Sequence, residues 1–147
     1  MSFPPLLDYT TIAEYKTHFE NYFCKKPIIT FDGIPIYFNI NIFSHSFYES
    51  SLKDSNKDVF SSIRAQRMNW IKETLENSNA DLYQGWDKKL KRYIPSRRVA
   101  VVYIDYVVVV EIILKKDGKL KGKFITAYKA ENSIQKIRNS PKWNGIK

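Results

Sequence analysis

Residues 98–128 read RVAVVYIDYVVVVEIILKKDGKLKGKFITAY, and the fold turns on how this stretch is read. Two β-rich runs, 98–104 and 106–114, are separated by little more than Asp105, and a third run ends at Tyr128 after Asp117-Gly118. Asp-Gly between apolar runs is a strong hairpin signal, because both residues tolerate the positive φ that a tight turn needs. The segment 97–128 therefore predicts an antiparallel meander. The uninterrupted valines 107–110 predict strands buried on both faces or nearly so. Thr126 and Tyr128 are two apart, so they share one face of their strand.

Outward from the meander, residues 58–77 place Val59, Phe60, Ile63, Met68, Trp70, Ile71 and Leu75 on one broad helical face. This predicts a helix with Asp58 as its cap and an end at Asn77-Ser78-Asn79. Further upstream, 28–38 carries Asp32-Gly33 between two β-rich runs and predicts a hairpin, whose second arm Pro35 assigns to a sheet edge. Apolar residues at three- and four-residue spacing over 8–24 predict an N-terminal helix capped by Asp8 and stopped by Pro27. Residues 39–57 show no period and read as a loop with a short helix near His45 to Ser51. A C-terminal helix over 131–139 is stopped by Pro141. The order predicts one α+β domain over 1–147, a four- to five-stranded antiparallel sheet with helices on one face.

Hydrophobic residues are 44% of the 147 and aromatics 15%, which suits a folded domain and excludes a disordered chain. Residues 1–87 hold 8 Lys/Arg against 11 Asp/Glu, a balance of −3, whereas 88–147 hold 16 against 4, a balance of +12. Such a field draws polyanions. Phosphate contacts are expected from Lys88, Lys89, Lys91, Arg92, Arg97, Arg98, Lys123 and Lys129, with Trp86 or Tyr93 available to stack on bases. A single cysteine, Cys24, allows no intrachain disulfide and no cysteine cluster, and reads as a packing residue in a reducing cytosol. No spanning segment or signal peptide is expected, so membrane partners are not.

Arg64 and Arg67 project toward the apolar side of the 58–77 helix. An uncompensated buried ion costs several kcal/mol, so these arginines must meet carboxylates or open onto a cleft. The planar guanidinium fork matches phosphate oxygens and stays charged at any working pH. Of two histidines, His18 beside an apolar stripe reads as structural, and His45 in FSHSFYES is the best general acid or base present. No phosphate-binding glycine loop, HExxH or nucleophile elbow occurs, and carboxylates do not cluster in sequence; no cofactor and no metal are expected.

FSHSFYES (43–50), FSSIRAQRMNWI (60–71), FITAY (124–128) and KIRNSPKW (136–143) together resemble the phage-associated branch of the barnase, EndoU, colicin and RelE-like (BECR-fold) nuclease superfamily, over roughly 28–143. The resemblance implies a helix packed on an antiparallel sheet and metal-independent RNA cleavage in a cleft on that sheet. It also implies a toxin acting on tRNA or mRNA and neutralised by a cognate antitoxin or immunity protein. Carried over by position, His45, Arg64, Arg67 and Thr126 match the polar pattern, with Tyr128 a looser addition. The mechanism expected is attack by a ribose 2′-hydroxyl on the adjacent phosphate, with His45 moving a proton and the arginines holding the phosphoryl oxygens. Two other readings use the same basic half: a nucleic-acid-binding module without catalysis, and an adaptor for an acidic protein partner.

Overall fold

The computed structural model describes residues 3–50, 58–87, 91–93 and 98–143. The predicted meander is present as β8 (Arg98–Tyr103), β9 (Tyr106–Leu114) and β10 (Leu120–Lys129), antiparallel throughout. Ile104, at φ 58, and Asp105 make the first turn, and Gly118, at φ 83, serves the second. The hairpin is likewise present, as β1 (Ile28–Ile29) and β2 (Pro35–Tyr37) around Gly33, at φ 90.

The chain is α+β, but the sheet is neither purely antiparallel nor four- to five-stranded. With β5 (Asp81–Gln84), a strand the sequence reading did not expect, it has six strands in the order β1-β2-β10-β9-β8-β5. β2 joins β10 in parallel, pairing Gly122 with Ile36 and Lys123 with Tyr37. Pro35 therefore does not mark an edge: its only partner is Ile29, and the β10 pairing begins one residue later. Gly122 makes the junction possible, since a Cβ there would overlap the Ile36 side chain.

The predicted helices are broken or shorter. α1 (Ile12–Phe19) starts at a capping box in which Thr11, not Asp8, accepts from the Glu14 amide, and continues as a π turn through Cys24. Instead of one helix over 58–77, Val59–Phe60 forms β4, paired with β3 (Tyr48–Glu49). Ser61 then caps α3 (Ser62–Gln66), and α4 (Met68–Glu76) follows after a break at Arg67 (φ −96, ψ 15). The β3–β4 pair and the Ser61 hydroxyl together satisfy backbone groups that a helix from Asp58 would leave open. The loop helix is α2 (Phe43–Ser46), and the C-terminal helix is α5 (Ile134–Arg138). A small pair, β6 (Trp86–Asp87) with β7 (Arg92–Tyr93), completes the described elements.

Helices cover both faces of the sheet, which corrects the one-sided arrangement expected. Tyr15, Phe19 and Phe23 from α1 and its π turn, Phe43 and Phe47, and Ala65, Met68, Ile71 and Leu75 pack on one face against Val108, Val110, Ile112 and Phe124. On the other face, Ile134 and Ile137 of α5 pack over Tyr83, Ala100, Val102 and Val107. This two-sided cover is why the valine run is buried almost throughout. Because α5 is short, it covers only one end of its face. The far end, reached by Tyr37, Lys121 and Lys123, has no helix over it among the described residues.

Candidate functional site

A β-bulge in β10 organises the site. Phe124 pairs with Val110 and Thr126 with Val109, which leaves Ile125 as an extra residue. Before the bulge, Gly122 and Phe124 face the main core, so Lys121 and Lys123 face the other way. After it the alternation is reset, and Thr126 and Tyr128 join the lysines' face opposite Val109 and Val107. The Ile125 carbonyl accepts from the buried Ser46 hydroxyl at 2.6 Å, which ties α2, and so the segment carrying His45, to this strand. His45 itself is exposed.

Beyond β2's contact with Gly122 and Lys123, no described strand pairs with the outer edge of β10, and α3 lies beside it. Arg64 crosses this edge. Its guanidinium donates to the Ser46 carbonyl at 3.4 Å, stands 3.8 Å from the half-exposed Glu49 carboxylate, and lies 5.6 Å from the Tyr128 ring centre. The break between α3 and α4 sets Arg67 apart, so that its guanidinium lies 5.0 Å from the Trp70 ring centre and donates to the Ile63 carbonyl at 2.9 Å. No described carboxylate pairs with Arg67, and its Nε is buried without a partner. Thr126 Oγ1 is in the same state.

The fully buried Tyr106 donates its hydroxyl to the Arg67 carbonyl at 3.3 Å. Burial pushes the Tyr106 phenol far above its ordinary range, and the nearby positive charges of Arg67 and Arg64 pull it only partly back. Burial likewise raises the Tyr128 phenol, against a smaller opposing pull from Arg64. Both hydroxyls stay protonated near neutral pH and can donate.

Two strand positions toward the uncovered end lies a polar row that sequence reasoning did not assemble. Tyr37, Lys123, Glu111 and Arg98 stand side by side on β2, β10, β9 and β8. Arg98 reaches Glu111 at 4.0 Å, with the two side chains 28% and 18% exposed, so this carboxylate is largely shielded from water. Gly85 makes room, since a Cβ there would overlap the Arg98 stem. In sequence, Glu111 is a single charge within the otherwise apolar run 106–114. The signal was present all the same, because a carboxylate inside a strand buried on both faces needs a cationic partner.

The other predicted residues divide. Lys123 and Arg98 belong to the row. Lys129 is engaged by Asp105 at 3.9 Å and Glu131 at 3.5 Å. Arg138, from the same basic half, donates to Asp81 at 3.0 Å and to the Ile104 carbonyl at 2.8 Å. Lys91 and Arg92 are exposed beside β6, while Trp86 and Tyr93 are register partners in the β6–β7 pair. Lys88, Lys89 and Arg97 lie outside the described residues. His18 is structural as read, held between the Tyr9 hydroxyl at 3.0 Å and the Asn69 side-chain oxygen at 2.8 Å. Cys24 packs against the main core, and burial raises its thiol pKa.

Among the described residues no three His, Cys, Asp or Glu side chains gather as a metal site would require, and no helix is long and apolar enough to cross a membrane. No protein-family model, curated protein or solved structure matches the chain.

Proposed function

We propose that the protein is a metal-independent endoribonuclease of the bacterial toxin kind, related to the BECR-fold nucleases and acting in the cytoplasm on an RNA such as tRNA or mRNA. The observation that carries this reading is the state of Arg67 and Thr126. A guanidinium without a described carboxylate partner, its Nε buried and unsatisfied, and a hydroxyl in the same condition are costly to maintain in a fold. A phosphate bound across the β10 edge would supply acceptors to both arginines.

In the reaction, the ribose 2′-oxygen forms a bond to the neighbouring phosphorus as the bond to the 5′-oxygen breaks. One proton leaves the 2′-hydroxyl and one arrives on the departing 5′-oxygen. His45 is the histidine proposed for such transfer, and Glu111, shielded between Arg98 and Lys123 on the face that carries Thr126 and Tyr128, is a second candidate proton-transfer group. Arg64 and Arg67 hold the charge that builds on the phosphoryl oxygens, while Thr126 and Tyr128 donate to the scissile group. The substrate brings its own nucleophile, so no cofactor enters. A toxin of this kind requires a cognate antitoxin or immunity protein, whose docking would cover the open sheet face.

The test is incubation of the purified protein with total RNA in EDTA. Discrete fragments ending in a 2′,3′-cyclic phosphate are expected. RNA that is bound but never cut would instead make the chain a nucleic-acid-binding module.

A further inference from the structure

The exposed end of the sheet beside the polar row holds an open depression of about 270 Å³, lined among others by Tyr37, Asn39, Ile113, Lys121 and Lys123. It is smaller than the roughly 300–1,000 Å³ of sites that enclose drug-sized ligands, and its shape is a shelf rather than a cavity. We propose that this shelf is a nucleobase subsite, which seats one unpaired base of single-stranded RNA against Tyr37 while the lysines hold the adjoining phosphates. The inference rests on the reading of the chain as an RNA-acting protein and names where a base would be gripped.

Four features point to that occupant. Tyr37 is 49% exposed although both chain neighbours, Ile36 and Phe38, are buried in the main core, so a rigid backbone presents a half-free ring. Ile113, 37% exposed on the same face, extends the apolar floor. Asn39 uses its side-chain oxygen to accept from the Asn41 amide at 2.9 Å, which leaves its NH2 group to donate to a base edge. Lys121 and Lys123 alternate outward on β10, and neither forms an ion pair with a described acidic side chain. An aromatic platform flanked by unpaired cations is what a single-stranded nucleotide requires, because every base offers a π-face and every linkage a negative charge. Lys123 and Tyr37 are register partners, so the base and its phosphate would be gripped from adjacent strands. From there the chain would run past Glu111 toward Thr126.

The test separates gripping from cutting. Fluorescence anisotropy is measured with a 2′-O-methyl RNA hexamer, which cannot be cleaved by its own 2′-oxygen, and with a hexamer of the same backbone lacking bases. The parent should prefer the based hexamer by roughly 5- to 150-fold, the range of one stacked base. Tyr37→Ala should lose most of that preference while its affinity for the baseless hexamer stays within about twofold. Tyr37→Phe should keep the preference, which shows that the ring is what counts. The subsite is refuted if the parent shows no base preference, if Tyr37→Ala retains it, or if Tyr37→Ala weakens both hexamers equally. A parent that shows this preference yet never cuts RNA would remove the nuclease reading and leave the subsite standing. A parent that cuts RNA while Tyr37→Ala keeps its base preference would remove only the subsite.

Discussion

Arg67→Met is the substitution in which a structural role and a functional one predict opposite outcomes. It keeps an unbranched stem of similar reach and removes the charge. The structure lets the stability change be worked through. Lost are the bond to the Ile63 carbonyl, about 0.5–1.5 kcal/mol net, and the contact with Trp70, about 0.5–1 kcal/mol. Gained is relief of the buried, unsatisfied Nε, about 1–3 kcal/mol. No described carboxylate is left without its partner. These ranges sum to between about 1.5 kcal/mol lost and about 2 kcal/mol gained, so the melting temperature should move by no more than about 4–8 °C in either direction for a chain of this size. If Arg67 holds a phosphoryl oxygen as charge builds there, cleavage should nonetheless fall about 10²–10³-fold. Arg67→Lys keeps the charge but loses the bidentate fork, and should also cut slowly while still binding RNA. The assays are thermal melting followed by tyrosine and tryptophan fluorescence, and cleavage of a labelled RNA in EDTA well below both melting points. A Met variant that melts far below the parent yet cuts normally per folded molecule would show that Arg67 is a packing residue and that the phosphate reading is wrong.

Three further outcomes are expected. His45→Ala should lose about 10²–10⁴-fold in the cleavage step, with RNA affinity within a few-fold of the parent, and RNA carrying a deoxyribose at the cut site should bind uncut; equal cutting of that deoxy-substituted RNA by the parent would sink the 2′-hydroxyl mechanism. RNA affinity should fall linearly on logarithmic axes between about 50 and 200 mM salt, and a flat response would remove the polyanion surface. Tyr106 has a folded-state pKa raised above the unfolded value near 10, so its contribution is intact below that pH and is lost as pH rises above it, because only the unfolded chain then ionises. Alkaline unfolding followed by tyrosinate absorbance should be less steep in Tyr106→Phe than in the parent, and identical curves would contradict the buried phenol.

Much of the site was legible in residue types and spacing. Arginines directed at an apolar helix face must find either carboxylates or a cleft, and that constraint singled out Arg64 and Arg67 without coordinates. The same logic applied to Glu111 would have found it, since a carboxylate amid Val107–Val110 and Ile112 is as exceptional as an arginine on a greasy helix face. It was missed because one charge in a strand also reads as a mere interruption of the run. The pairing of Lys129 and Arg138 with acids was not legible either. Glu131 is a near neighbour of Lys129, but Asp105 for Lys129 and Asp81 for Arg138 are distant along the chain, and only the closing of the sheet brings them near.

By itself, the sequence determined the local elements whose signals are short-range. These are the meander and hairpin with their Asp-Gly turns, the amphipathic N-terminal helix, and the structural place of His18. Periodicity and turn chemistry act over a few residues, so they are written into the chain directly. Only the tertiary structure decided the parallel seam of β2 on β10, between segments more than eighty residues apart, which depends on Gly122 admitting Ile36. It also decided the break at Arg67, the cover of α5 on the second face, and the bulge at Ile125. That bulge has the largest consequence for function. Strand side chains alternate strictly, so without one extra residue Thr126 would follow Phe124 into the core; with it, Thr126 and Tyr128 share the face of Lys123 and Glu111. Whether a strand takes such an extra residue depends on its neighbours, here the Ser46 hydroxyl that satisfies the bulged carbonyl from seventy-nine residues away.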